Sequence, residues 1–251
     1  MFEYALSGFF IALVIGLTGV GAGTLTAPLL ILLGLDPAKA VGSALSFSAF
    51  VKFPAFVFHA LYKNIDYKIL FLMLSGGVPG VLLGSFLLSF LSHEKGLKNV
   101  LFLIIGFTIL LSIALNLFTT LRNKRLDLTR YRFLLPFACF FIGIEVGFTS
   151  AGAGALGMVL LLYFTRLEPS RAVGVDIAFG LACSSLGSLF HFLGSNINPE
   201  VFIPMSFGGL LGVWLGTHLT RKINPKPIRV LISFLLLLVA INLINRGINH
   251  G

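Results

Sequence analysis

Residues 37–85 and 169–217 align at a constant offset of 132, with identity at 17 of 49 positions, in a chain built almost wholly of membrane-length apolar segments. The shared positions include Pro37/Pro169, Gly42/Gly174, His59/His191, Asn64/Asn196, Gly76/Gly208, Gly80/Gly212 and Gly84/Gly216. A glycine-rich break precedes each copy, GLTGVGAGTL at 16–25 and GFTSAGAGAL at 147–156. Two related halves, each with an interrupted hydrophobic segment at the corresponding place, point to a secondary transporter whose substrate binds between the halves.

Composition fixes the solvent. With 57% hydrophobic and 11% charged residues and a mean hydropathy of +1.01, the apolar surface exceeds what a soluble globule of 251 residues can bury. An all-α, multi-pass integral membrane protein of the cell membrane is expected. The net charge of +9 does not indicate nucleic acid, because the basic residues fall in short loops between apolar runs. Met1-Phe2-Glu3-Tyr4 lacks a basic leader, so the first apolar run is read as part of the mature chain. Cys139 and Cys183 lie inside apolar segments without ligand-type spacing, so no disulfide, metal or cofactor is expected.

Apolar runs fall at 5–34, 38–62, 69–91, 97–121, 133–165, 170–194, 201–220 and 230–246, four per half. The expected organisation is a first membrane repeat at 1–121, a basic cytoplasmic linker at 122–132 and a second membrane repeat at 133–251, together one transmembrane domain. Topology follows from charge. If every run crosses once, the loops place 8 Lys and Arg inside and 9 outside, which gives no orientation signal. If the first run of each half enters and leaves on one face as a re-entrant helix pair, the count is 13 inside and 4 outside, with Lys52 within a helix. That bias favours inverted repeats with both termini outside. A turn at membrane depth must then be buried in protein or face a water-filled cavity.

The residues Gly19-Val20-Gly21-Ala22-Gly23 with Pro28, Asp36-Pro37 leading into Ala40-Val41-Gly42-Ser43, and Gly76-Gly77-Val78-Pro79-Gly80 form one set of motifs. Ala151-Gly152-Ala153-Gly154 and Ala172-Val173-Gly174-Val175-Asp176 form their second copy. Together they cover nearly the whole chain, and in combination they resemble the TauE/SafE sulfite exporter family, also called the toluene-sulfonate uptake permeases. The resemblance implies transport of small sulfur-containing anions such as sulfite, sulfonates or sulfoacetate, coupled to an ion gradient.

Candidate site residues follow from the anionic substrate. The glycine turns, with Gly19, Gly21, Gly23 and Thr24 in one copy and Ser150, Gly152 and Gly154 in the other, would offer backbone N–H groups at half-helix ends. Ser43 stands early in the next helix. Lys52 is the one central cation, and two roles stay open for it: compensating the substrate, or pairing with Glu145 or Asp176. Those acids have only Val14 and Ala44 as counterparts in the first copy, which makes them candidates for proton coupling, as are the matched His59 and His191. The two acids have the alternative of hydrogen-bonded structural roles, and the two histidines, with Asn64 and Asn196, that of capping or packing. The partners expected are a small anionic substrate and membrane lipids, with a homo-oligomer left open. An anion channel would use the same helix ends without titratable acids. An enzyme is disfavoured because no nucleophile and base constellation is visible.

Overall fold

The computed structural model describes residues 2–18, 22–93, 98–121, 127–151, 154–219 and 225–249. Among them there are ten α-helices and no strand: α1 (Phe2–Thr18), α2 (Ala22–Leu32), α3 (Pro37–Leu61), α4 (Tyr67–His93), α5 (Lys98–Leu121), α6 (Leu135–Thr149), α7 (Ala155–Phe164), α8 (Pro169–Leu193), α9 (Pro199–Leu219) and α10 (Pro225–Asn249). A 3-10 turn, Thr129–Leu134, leads into α6. Eight apolar runs become ten helices because the first run of each half breaks at its glycines. The second break is marked by Ser150, which holds a left-handed φ of 65° while its N–H caps the Val146 carbonyl at 2.8 Å.

The broken pairs are short. Helices α1, α2, α6 and α7 have 17, 11, 15 and 10 residues. At 1.5 Å per residue they reach roughly 15–26 Å, less than a hydrocarbon core of ~30 Å. Five stretches have the length and apolar character to cross a membrane, namely Pro37–Leu61, Tyr67–Ser92, Thr129–Thr149, Pro169–Leu193 and Pro199–Leu219. The third joins the 3-10 turn to α6, and tertiary contacts show where its chain goes next. The Leu128 N–H donates to the Tyr163 carbonyl at 2.9 Å, and Arg166 pairs with Asp127 at 2.9 Å. The end of α7 therefore lies beside the start of α6, and the chain returns to the face from which it entered.

Helices α3 and α8 begin and end at matched residues because the same signals bound them. Pro37 and Pro169 open the first turns, where no N–H is needed, and the Asp36 carboxylate accepts from the Ala38 N–H at 3.2 Å. At the C-termini the Asn64 N–H donates to the His59 carbonyl at 2.9 Å and the Asn196 N–H to the His191 carbonyl at 2.8 Å. Lys63 and Ser195 take the left-handed positions, φ 54° and 56°, that such caps require.

Packing exchanges elements between the halves. A Cβ at Gly76, Gly80 or Gly84 of α4 would lie 1.8, 2.2 or 2.2 Å from the carbonyl oxygens of Pro136, Phe140 and Ile144 on α6. At Gly208, Gly212 and Gly216 of α9 the distances are 1.9, 2.1 and 2.4 Å, to Ala5, Phe9 and Leu13 on α1. Bare backbone faces are what allow these parallel pairs to touch. Helices α3 and α8 cross between them: the Ser46 and Ser188 hydroxyls are 2.6 Å apart, and the Asn198 N–H donates to Ser43 Oγ at 3.0 Å. Early residues of one thus meet late residues of the other, so α3 and α8 run antiparallel. The same holds for α5 and α10, where Gly106 faces Ile244 and Gly247 faces Asn99. Phe47 and Phe179, repeat partners and fully buried, fill the spaces left by Gly209 and Gly77. Large apolar side chains, among them Phe86, Phe90, Phe107, Phe137, Phe207, Leu211 and Phe234, are exposed outside this core, as a lipid solvent requires.

Candidate functional site at the meeting of the broken helices

The first turn of α2 meets the last residue of the α6 break. A Cβ at Gly23 would lie 1.6 Å from the Ser150 carbonyl oxygen and 2.2 Å from Ser150 Oγ, so only glycine permits this approach. The Ser150 hydroxyl is buried and has no hydrogen-bond partner among the described residues. Around it the Ala151 N–H donates to Thr149 Oγ1 at 3.1 Å, and the Thr149 hydroxyl donates to the Glu145 carbonyl at 2.8 Å. Thr24 and Thr26 of α2 are buried beside this junction. Two half-helix ends and a cluster of hydroxyls therefore share one interior location. Gly19, Gly21 and Gly152 lie outside the described residues; Gly154 is described and buried.

Two ionisable residues lie within helices α3 and α8. Asp176 on α8 is covered by α7, where a Cβ at Gly157 would lie 2.3 Å from Asp176 Oδ1. That oxygen is buried and has no hydrogen-bond partner among the described residues. Lys52, half-buried on α3, lies within electrostatic reach of Asp176, but forms no ion pair among the described residues. Of the two roles open for Lys52, locking to Asp176 in a direct ion pair is not the arrangement present. Gly157, three residues beyond Gly154, is what brings Asp176 to the root of the second broken pair. It was not legible in advance, since the glycine motif ends before it.

Other sequence-selected residues have different surroundings. Ser43 is engaged by the Asn198 N–H at the α8–α9 connection. His59 and His191 both supply the carbonyls of C-terminal caps, and their imidazoles then face glycines of the partner helix. A Cβ at Gly174 would lie 3.2 Å from His59 Nδ1, and one at Gly42 would lie 2.8 Å from His191 Cβ. His191 is fully buried with its ring against the Gly147 backbone at the end of α6, although neither ring nitrogen meets full hydrogen-bond geometry, and His59 Nδ1 is likewise buried without a partner among the described residues. Glu145, half-buried on α6, lies five residues before Ser150, and its backbone carbonyl accepts from the Thr149 hydroxyl at 2.8 Å. Sequence reasoning missed a cleft of about 880 Å³ between α3, α8 and the start of α9, edged by Ser46, Ser185 and Ser188. Ser46 and Ser188 are not repeat partners, so the internal repeat gives no sign of their contact.

Comparison with known proteins identifies the family. The family described as "Sulfite exporter TauE/SafE" matches residues 4–243. The "Probable membrane transporter protein YjnA" of Bacillus subtilis (strain 168) is 30% identical, covering 95% of this chain and 98% of its own length. Two further proteins of that strain are similar over most of their length. "Probable membrane transporter protein YtnM" is 27% identical over 98% of this chain and 83% of its own. "Probable membrane transporter protein YunE" is 24% identical over 92% and 93%. No solved structure matches the chain. With two broken apolar helix pairs that meet at Gly23 and Ser150 and a family match across nearly every helix, the chain is a multi-pass membrane protein that belongs to the TauE/SafE sulfite exporter family of transporters.

Proposed function

We propose that the protein moves small sulfur-containing oxyanions, of the sulfite, sulfonate or sulfoacetate type, outward across the cell membrane, driven by an ion gradient. The reading rests chiefly on the apposition of Gly23 and Ser150. The N-terminus of α2 at Gly23 carries about half a positive charge and backbone N–H groups unused by the helix, which suits a compact oxyanion, while Ser150, at the C-terminal end of α6, brings a buried hydroxyl. Lys52 supplies the further positive charge that one helix N-terminus leaves wanting. Asp176 is the proton carrier, with Glu145, His59 and His191 as further members of its relay. A proteoliposome flux panel tests the whole. Sulfite or a sulfonate should exceed carboxylates of similar size in flux, and an imposed pH gradient should change that flux. A flux that follows membrane voltage and ignores the pH gradient would instead indicate an anion channel.

The proposed topology is an inverted repeat, 1–121 and 133–251, with the 122–132 linker cytoplasmic. It is supported by the antiparallel run of α3 against α8, by the return of α7 to the start of α6, and by the 13-to-4 charge bias. Cysteines placed at Lys63 and Glu168 should be labelled from the cytoplasmic side and one at Ser195 from the other. Labelling of positions 63 and 168 from opposite sides would show single-crossing runs instead.

A further inference from the structure

A second polar site lies on the face that carries the linker, away from the helix junction. Three separate connections converge there: the α3–α4 loop, the 3-10 turn before α6, and the α7–α8 loop. They enclose a cleft of about 590 Å³ whose lining includes Arg130, Arg132, Arg166, Thr129 and Asp66. Arg130 and Arg132 form no ion pair among the described residues, and Arg166 is anchored by Asp127 at 2.9 Å. Asp127 is held down to about 2 by hydrogen bonds from Thr129, with Arg166 adding to the effect, so it stays ionised and fixes that guanidinium in place. Asp66, the one acid of the lining, already accepts from the Ile69 N–H at 3.1 Å. The remaining excess is positive.

The same turn presents aromatic side chains outward. Tyr131 and Phe133 alternate with the two arginines, are 47% and 72% exposed, and do not line the cleft. Their rings lie 6.4 Å apart. Exposed Tyr and Phe beside charged residues, at the end of apolar helices, mark the depth of the lipid headgroups. A guanidinium fork at that depth matches a phosphate oxygen pair.

We infer that this cleft binds the phosphate of an anionic phospholipid, with Arg130 and Arg132 on the phosphate and Tyr131 and Phe133 in the adjoining headgroup layer. The lipid would pin the 3-10 turn against α7 and so brace the second broken helix pair from its outer end. The charge complementarity and the flanking aromatics favour a lipid over a soluble phosphate, which would need no apolar neighbours.

The test uses the full chain in phosphatidylcholine micelles, titrated with phosphatidylglycerol and, separately, with glycerol 3-phosphate. Phosphatidylglycerol should bind saturably. Arg130→Gln/Arg132→Gln should weaken that binding about 30-fold, as expected for two arginines at about 1 kcal/mol each when 1.4 kcal/mol is tenfold. Arg130→Lys/Arg132→Lys should keep part of it. Lys52→Met should bind the lipid as the unmodified protein does, which separates this site from the transport site. Thermal melting in phosphatidylcholine alone checks that the glutamine variant is folded, and the lysine variant serves if it is not. Equal affinity for phosphatidylglycerol in the unmodified protein and the charge-altered variants would overturn the site. Competition by glycerol 3-phosphate at the same concentration as the lipid would overturn the assignment to lipid.

Discussion

Gly23→Ala is expected to reduce transport per folded molecule by on the order of 100-fold, and Gly23→Val to abolish it. The added Cβ would occupy a point 1.6 Å from the Ser150 carbonyl oxygen, and that neighbour is backbone which cannot rotate away. The two half-helix ends must therefore separate by an ångström or more, and a displacement of about 1 Å in a positioned site costs on the order of 100-fold. Gly154→Val should act similarly from the other copy. A packing glycine supplies the control. Gly106→Ala meets Ile244 Cγ1 at 2.6 Å, in the contact of α5 with α10, which includes none of Gly23, Ser150, Lys52 and Asp176. It should lower yield and melting temperature while leaving flux per folded transporter nearly unchanged. Wild-type flux per folded Gly23→Ala would remove the helix junction from the proposed site.

The second large effect concerns charge. Lys52→Met should weaken substrate binding about 100-fold. A unit charge pair at 4 Å is worth roughly 4 kcal/mol at an effective dielectric constant near 20, and part of this is offset by desolvating the ammonium. Lys52→Arg should retain some affinity. Asp176→Asn, close in shape, should leave binding measurable but remove the response of flux to a pH gradient. Glu145→Gln tests the other acid in the same way. Calorimetric binding and gradient-driven flux on the same variants separate affinity from coupling. Unchanged affinity in Lys52→Met, with full pH-gradient dependence in both acid variants, would make all three residues structural.

Much of the helical framework is written in short-range signals. Pro37 and Pro169, the paired Asn64 and Asn196 caps and the four-residue glycine spacing each act within a turn or two, so the boundaries of α3 and α8 are readable without knowing what they pack against. The glycine breaks are legible for the same reason: a backbone that must turn, or touch another backbone, leaves room for no side chain. Hydrophobic content likewise dictates the membrane, because nothing else could solvate this exterior.

What sequence could not decide is which broken end meets which. Gly23 touches Ser150, α4 rests on α6 and α9 on α1, and Ser46 finds Ser188 rather than a repeat partner. These are contacts between residues more than one hundred positions apart, or between halves, and they depend on how whole helices are placed. The approach of Lys52 to Asp176 belongs to the same class. Each residue is an isolated oddity in its own apolar segment, and only the antiparallel crossing of α3 and α8 makes them one centre. Sequence alone thus determined the elements, their breaks and their solvent, since those follow from local backbone chemistry and transfer energy. The tertiary structure decided the partners, since close packing between distant segments leaves no periodic trace in either segment by itself.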